Sequence, residues 1–365
     1  MFWKFNHIFS NTKVKLLIFA VLAITGIILF IVSGNVTKQD VTATTEEVKT
    51  KNYTAEELKI KMPNEIDTIL FTFGIMKEWI NDNAAKNKNE ALWFNKEVLV
   101  PYDLPLASVN YELKSFLKSV DFAETVTEDP RSKNLSIDIY HSADSTKKPL
   151  GKLSLLYSDK INRIASDVAI ILNNVDKLSA SDFEKIVSSP EKFTVVLPVN
   201  FENADIQSQI LETGRDYVLI YDVGNQDIPE ADFRNDMSEK QWKGKVRSVT
   251  IEYPNTSGIF LNNISKDINF KQDLSAHFNK YSKVLYEDTV LIKFTTKETE
   301  ERKIYDLFSQ IFTNTNRGVR SQAYLVDFDV NDFNNYIREV NNLRKRGYRF
   351  LTFKEIMKQK DSKQK

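Results

Sequence analysis

The alternation of apolar and polar positions divides the chain into three stretches. From Leu16 to Val32 it reads LLIFAVLAITGIILFIV without a charge, and the uncharged run continues through Thr37. A helix needs about 20 apolar residues to cross a hydrocarbon core, so the pattern predicts a transmembrane span over 16–37. Lys4, Lys13 and Lys15 precede it, while Lys38 is balanced by Asp40. Basic residues stay on the cytoplasmic side, which places residues 1–15 inside and the bulk of the chain outside. The competing reading is a cleaved signal peptide, but its apolar core would be shorter, and Ile31–Asn35 is a poor small-x-small site.

Residues 38–62 are polar, rich in Thr, Lys and Glu, and read as a linker with a short helix opened by Thr54-Ala55-Glu56-Glu57. A small α+β domain is expected over 63–158. Ile66, Ile69, Leu70, Phe73, Met76 and Ile80 recur at helical spacing between Asn64 and Asp82, and Val109, Leu113, Phe116, Leu117 and Val120 mark a second helix after Pro101 and Pro105. LSIDIYHS (135–142) and KLSLLY (152–157) alternate as two strands of a hairpin, so the helices should cover a small antiparallel sheet.

Residues 160–358 follow another rule. VAIIL (168–172), FTVVLP (193–198), YVLIY (217–221), VTIEY (249–253), VLIKF (290–294) and AYLVDF (323–328) are short, fully apolar runs, most of them followed by a helical pattern. Strands of that kind belong to a parallel sheet covered on both faces, or to a barrel, whose functional groups gather at the carboxyl ends of the strands. Ser181–Glu184 and Thr352–Glu355 are capping-box patterns, Gly347 is placed to end the helix carrying Phe333, Tyr336, Ile337, Val340 and Leu343, and 359–365 is a polar tail.

Composition narrows the chemistry. The 365 residues carry 50 basic and 50 acidic side chains, and a net charge of zero argues against a nucleic-acid partner. The absence of cysteine removes disulfides, thiolate catalysis and thiolate metal sites. The three histidines are His7, His141 and His277, with His7 ahead of the apolar run, so no Ser-His-Asp or Cys-His arrangement can be assembled.

Several segments of 160–358, in order, resemble the divergent polysaccharide deacetylase family of carbohydrate-esterase-like proteins. They are Arg163–Val175 (an opening strand normally ending in paired aspartates), Phe193–Asn200, Glu212–Asp222 (a Gly-His-Glu segment), Gly258–Asn263 (a Gly-Val and Asn-His segment) and the closing Arg346–Glu355. The resemblance implies an α/β fold: a distorted β/α barrel preceded by the small α+β domain and the N-terminal transmembrane helix. Active members hold a divalent ion with one aspartate and two histidines and use another aspartate as base. Here the matching positions are Asn173, Asn174, Arg215 and Asn262, with a further histidine position near Ile220. An amide is a poor zinc ligand and cannot accept a proton at neutral pH, so no metal or other cofactor is expected, and those four residues would line a relic site.

What the resemblance leaves is a membrane-anchored, extracytoplasmic (periplasmic) protein that binds or scaffolds an envelope glycan or envelope protein assembly. The alternative is an active carbohydrate esterase with an unorthodox site, for which Asp222, Asp327 and Asp329 at predicted strand ends are the candidates, although capping and solvation explain them as well. A third reading gives binding to the small domain. Trp242, in the polar stretch from Gly224 to Arg247, either contacts a ligand or partner or pins its own loop.

Overall fold

A computed structural model describes residues 54–83, 92–199, 201–224, 231–263, 268–287, 290–294, 303–327 and 330–363. The apolar run at 16–37 and Asp329 lie outside the described residues, among which no helix is long and apolar enough to cross a membrane.

The first helix, α1 (Ala55–Thr72), begins inside the stretch read as linker and runs through Pro63 to bury Met62, Ile66 and Leu70 at i, i+4 and i+8. The expected helix at 64–82 stops at Thr72, and Lys77–Trp79 forms a 3-10 turn before β1 (Ile80–Asp82). Then come β2 (Phe94–Pro101), α2 (Leu106–Ser119), β3 (Phe122–Glu128), β4 (Leu135–His141) and β5 (Gly151–Ser158). The five strands order as β1-β2-β5-β4-β3. The hairpin β4–β5 is antiparallel as expected, but β2 lies parallel to β5, so the sheet is mixed. Alternate residues Leu135, Ile137 and Ile139, with Leu153 and Leu155, meet the helices in one apolar cluster.

The second sheet contains β6 (Asp167–Asn173), β7 (Thr194–Val196), β8 (Tyr217–Gly224), β9 (Phe233–Arg234), β10 (Ile259–Asn263), β11 (Leu285–Glu287), β12 (Ile292–Phe294), β13 (Ser321–Asp327) and β14 (Arg349–Leu351). Its order is β11-β10-β8-β7-β6-β13-β12, with β14 on β6 and β9 on β8, and every pairing is parallel. Among the described residues β11 and β12 do not pair, so the sheet is a curled, open barrel. Its helices are α3 (Ala180–Val187), α4 (Ala204–Glu212), α5 (Glu239–Glu252), α6 (Ile268–Lys280), α7 (Lys303–Asn316), α8 (Val330–Lys345) and α9 (Phe353–Lys363).

Strand parity separates two cores. Val168, Ile170 and Leu172 of β6 face the outer helices together with Leu219, Tyr221 and Val223 of β8. Ala169, Ile171 and Val218 face inward, where Phe353 and Ile356 of α9 pack on them. The start of α9 is tied to the amino ends of the strands. Phe353 N donates to Thr194 Oγ1 (2.8 Å), Thr194 Oγ1 donates to Asp216 Oδ2 (2.6 Å), and Ser257 Oγ donates to Asp216 Oδ1. One end of the inner face is thereby filled, and the carboxyl ends remain open.

Three local expectations shift. VTIEY (249–253) is not a strand: α5 opens on a Ser238/Gln241 capping box and continues to Glu252, burying Trp242, Val246 and Val249 at helical spacing while Ile251 is 66% exposed. The cap before α3 is Ser179, which accepts from Asp182 N, two residues ahead of the expected Ser181. The tail is helical through Lys363. Elsewhere the pattern holds, with the Thr352/Glu355 box closed in both directions and Gly347 (φ +99°) ending α8.

Candidate functional site

A cleft of about 750 Å³ opens at the carboxyl ends of the barrel strands. The same parity that builds the inner core decides what lines it. The last inward side chain of β6 is Asn173, of β8 Asp222 (its final inward position being Gly224), of β10 Asn262 and of β13 Asp327, and Lys293 of β12 lies between the outward-packed Ile292 and Phe294. Directly below, at the preceding inward positions, are Ile171, Ile220, Phe260 and Leu325. Polar groups thus crown an apolar floor.

Pairing sets neighbours. Asp327 is opposite Asn173, and Asp222 is opposite Asn262. Asn262 Nδ2 donates to Asp222 Oδ1 at 2.8 Å, and Lys293 Nζ donates to Asn262 Oδ1 at 3.3 Å, so one amide links a cation to a carboxylate. The Asp222 backbone N donates to Asp232 Oδ2 (3.1 Å), and Asp232 is paired with Lys245 (3.1 Å). Asn174 adopts a left-handed conformation (φ 54°) that turns the chain into a 3-10 segment, bringing Asp176 to the rim, where it accepts from Asn203 Nδ2 at 3.2 Å. Leu197, Pro198, Val199, Leu291 and Phe294 complete the walls.

Five residues singled out from sequence therefore line one cleft: Asn173, Asn174, Asp222, Asn262 and Asp327, with Ile220 beneath them. Arg215 does not. It precedes β8, at the amino end of the strands, and its guanidinium donates to the carbonyls of Val187 (2.5 Å), Ser189 (2.5 Å) and Glu191 (2.8 Å) while lying over the Phe193 ring. It caps the exit of α3, a structural task, and burial lowers its pKa. Trp242 is also elsewhere, 8% exposed within α5 and edge-on to His277 at 5.3 Å, so it fastens α5 to α6. His141 is exposed at the end of β4.

Sequence reasoning missed Asp176, Asp232 and Lys293. Lys293 had a signal, a charge at an alternating position of an otherwise apolar run; Asp232, inside a polar segment, had none.

The implied divalent metal does not fit these side chains. Asn262 turns its amide nitrogen toward Asp222, its oxygen faces an ammonium, and the β6 end offers amides only. Among the described residues no three His, Cys, Asp or Glu side chains cluster as a metal site. Asp222 and Asp327 stand on strands three spacings apart, about 14 Å following the curve of the sheet, and both line the cleft.

No protein-family model and no curated protein matches the chain. Two solved structures are similar to it in fold. One is a peptidoglycan deacetylase of Bdellovibrio bacteriovorus, 10% identical, with 52% of each chain covered and a TM-score of 0.32. The other is a mutant of a CE4 family pseudoenzyme with restored enzymatic activity, 11% identical, covering 67% of this chain and 96% of that one at a TM-score of 0.33. The chain spans about half the length of the first. Superpositions at this level transfer neither site residues nor activity.

Proposed function

We propose that this is a membrane-anchored, extracytoplasmic deacetylase-like protein that binds an envelope glycan without hydrolysing it. The observation that carries the reading is the crown of neutral amides, Asn173, Asn174 and Asn262, above an apolar floor at the carboxyl ends of the barrel strands. Amides offer both donors and acceptors to hydroxyl groups, and apolar walls suit the faces of a sugar ring. The same amides replace the charged ligands and base that hydrolysis in such a fold requires. Anchoring rests on the run at 16–37, which would keep the cleft close to the envelope polymer.

The test is co-sedimentation of the full chain, in detergent, with insoluble cell-wall glycan. The wild type should pellet with the polymer, and Asn262→Leu, which removes the amide and its link to Asp222, should remain in solution. A wild type that stays soluble sinks the proposal. The esterase alternative draws its support from Asp222 and Asp327 lining one cleft, and it requires acetate release from acetylated glycan that is lost in Asp222→Ala.

A further inference from the structure

The cleft has a charge preference that its amides alone do not impose. Among the described residues it is lined by four carboxylates, Asp176, Asp222, Asp232 and Asp327, against one ammonium, Lys293. Lys245 approaches from behind through Asp232, leaving an excess of two negative charges. The carboxylates are spread around the mouth on four segments, and the space between them is a preformed cavity of about 750 Å³ with an apolar floor, large enough for more than one sugar ring. Walls of low polarizability around carboxylates of one sign concentrate their field on whatever enters.

We propose that the cleft selects a sugar bearing a free, protonated amine over its N-acetylated or neutral counterparts. This rests on the glycan-binding reading above and names the ligand class for the same site. Hydroxyls would bond the amides of Asn173 and Asn262, and the ammonium would lie against Asp327. That carboxylate occupies the inward end of β13, beside a neutral amide (Asn173), whereas Asp222, Asp232 and Asp176 each already hold a partner within the protein. An N-acetyl group would carry no charge to meet this field and would bring its methyl group to the polar crown.

The experiment titrates the full chain, in detergent at low ionic strength, with four probes: a glucosamine tetramer, an N-acetylglucosamine tetramer, a glucose tetramer and tetralysine. The glucosamine tetramer should bind at least tenfold tighter than either other sugar. Asp327→Asn should weaken it about fivefold, the scale of a partly exposed ion pair, with little effect on the glucose tetramer. Asp222→Asn, which keeps the shape and the bond to Asn262, provides a second removal of charge should the first variant misfold. Equal or tighter binding of the acetylated tetramer overturns this inference and leaves glycan binding standing. Tetralysine binding as tightly as the amino sugar also overturns it, since the cleft would then be a simple cation exchanger. Failure of all three sugars overturns both proposals.

Discussion

Arg163 lies on the connection between β5 and β6, the one covalent crossing from the five-stranded sheet to the barrel, and its replacement tests what holds the two together. The guanidinium donates to Asp103 Oδ2 from Nε (3.0 Å) and Nη2 (2.6 Å), to Asp103 O (3.2 Å), to Phe73 O (3.3 Å) and to Lys345 O (2.6 Å). It therefore joins the exit of α1, the loop before α2 and the last turn of α8. Its side chain is 7% exposed, but Asp103 is 57% exposed, so that ion pair is screened and contributes within about 1 kcal/mol. The carbonyls of Phe73 and Lys345 lose a charged donor when the side chain is removed, which costs at least about 1 kcal/mol between them at a partly wet junction. Deleting the buried aliphatic stem adds about 1 kcal/mol. Arg163→Ala should thus destabilise by about 3 kcal/mol, and Arg163→Lys, which keeps the stem but not the planar fork, by less.

Gly347 supplies an internal control on this reasoning. A Cβ there would lie 2.9 Å from both Cζ and Nε of Arg163, on a backbone with φ +99°. Gly347→Ala should cost about 2 kcal/mol, of which the left-handed backbone accounts for about half. In an Arg163→Ala background the steric half should disappear, so the two changes should be non-additive by about 1 kcal/mol. Urea unfolding of the full chain, followed by tryptophan fluorescence and far-UV circular dichroism, measures all three variants. Arg163→Ala within 0.5 kcal/mol of wild type, or strictly additive costs, would refute the assignment of Arg163 as the clamp.

Other consequences follow from groups held inside the protein. Lys96, with a side chain 5% exposed, donates to Asp67 Oδ1 (2.5 Å) and to Pro63 O (3.1 Å); Lys96→Met should cost about 3 kcal/mol by stranding Asp67, and Lys96→Met/Asp67→Leu should recover most of it, as unfolding midpoints in urea will show. Burial first, then Lys280 and Lys243, holds the His277 pKa below its usual value, so its neutral form belongs to the fold. The unfolded chain then takes up the proton first: stability from this site is complete above about pH 6.5 and is lost as pH falls toward the folded-state pKa. His277→Phe should flatten that part of the pH profile of the thermal midpoint, and an unchanged profile would remove His277 from the account. Arg215→Ala should lower stability by about 2 kcal/mol, by leaving three carbonyls without a donor, yet leave glycan affinity unchanged; lost affinity with normal stability would return Arg215 to the site.

Much of the barrel was legible because its strands are buried on both faces and read as unbroken apolar runs, and β6, β8 and β13 lie where those runs are. VTIEY deceived for a physical reason. A β-branched run can be the last turn of a helix when a strong cap starts that helix eleven residues earlier and every third or fourth position is apolar; Ser238, Trp242, Val246 and Val249 supply both conditions. The parallel β2–β5 pair was illegible because pairing direction depends on a long-range register that alternation does not encode. The opening of α1 at Thr54–Glu57 was legible, but its continuation was hidden by Pro63, which in a sequence argues for a helix beginning there and in the structure sits inside one, with its carbonyl taken up by Lys96.

The site was legible to the extent that strand polarity was used. Asn173, Asp222, Asn262 and Asp327 come together in one cleft because each stands at or near the end of an apolar strand, and in a parallel sheet all such ends open on one side. Arg215 was placed by the order of motifs, which says nothing about which end of a strand a residue occupies; two residues before Tyr217 is the amino end, and there an arginine meets helix carbonyls instead of ligand. This displacement changes the chemistry of the cleft. With Arg215 in the crown, a guanidinium would offset one of the two excess negative charges counted among the described residues at the mouth. Without it, the positive charge lining the cleft among the described residues is the Lys293 ammonium, bonded to Asn262, and the carboxylates outnumber it. The strength of the negative field at the mouth, and so its pull on a cationic ligand group, turns on which end of β8 that one arginine occupies.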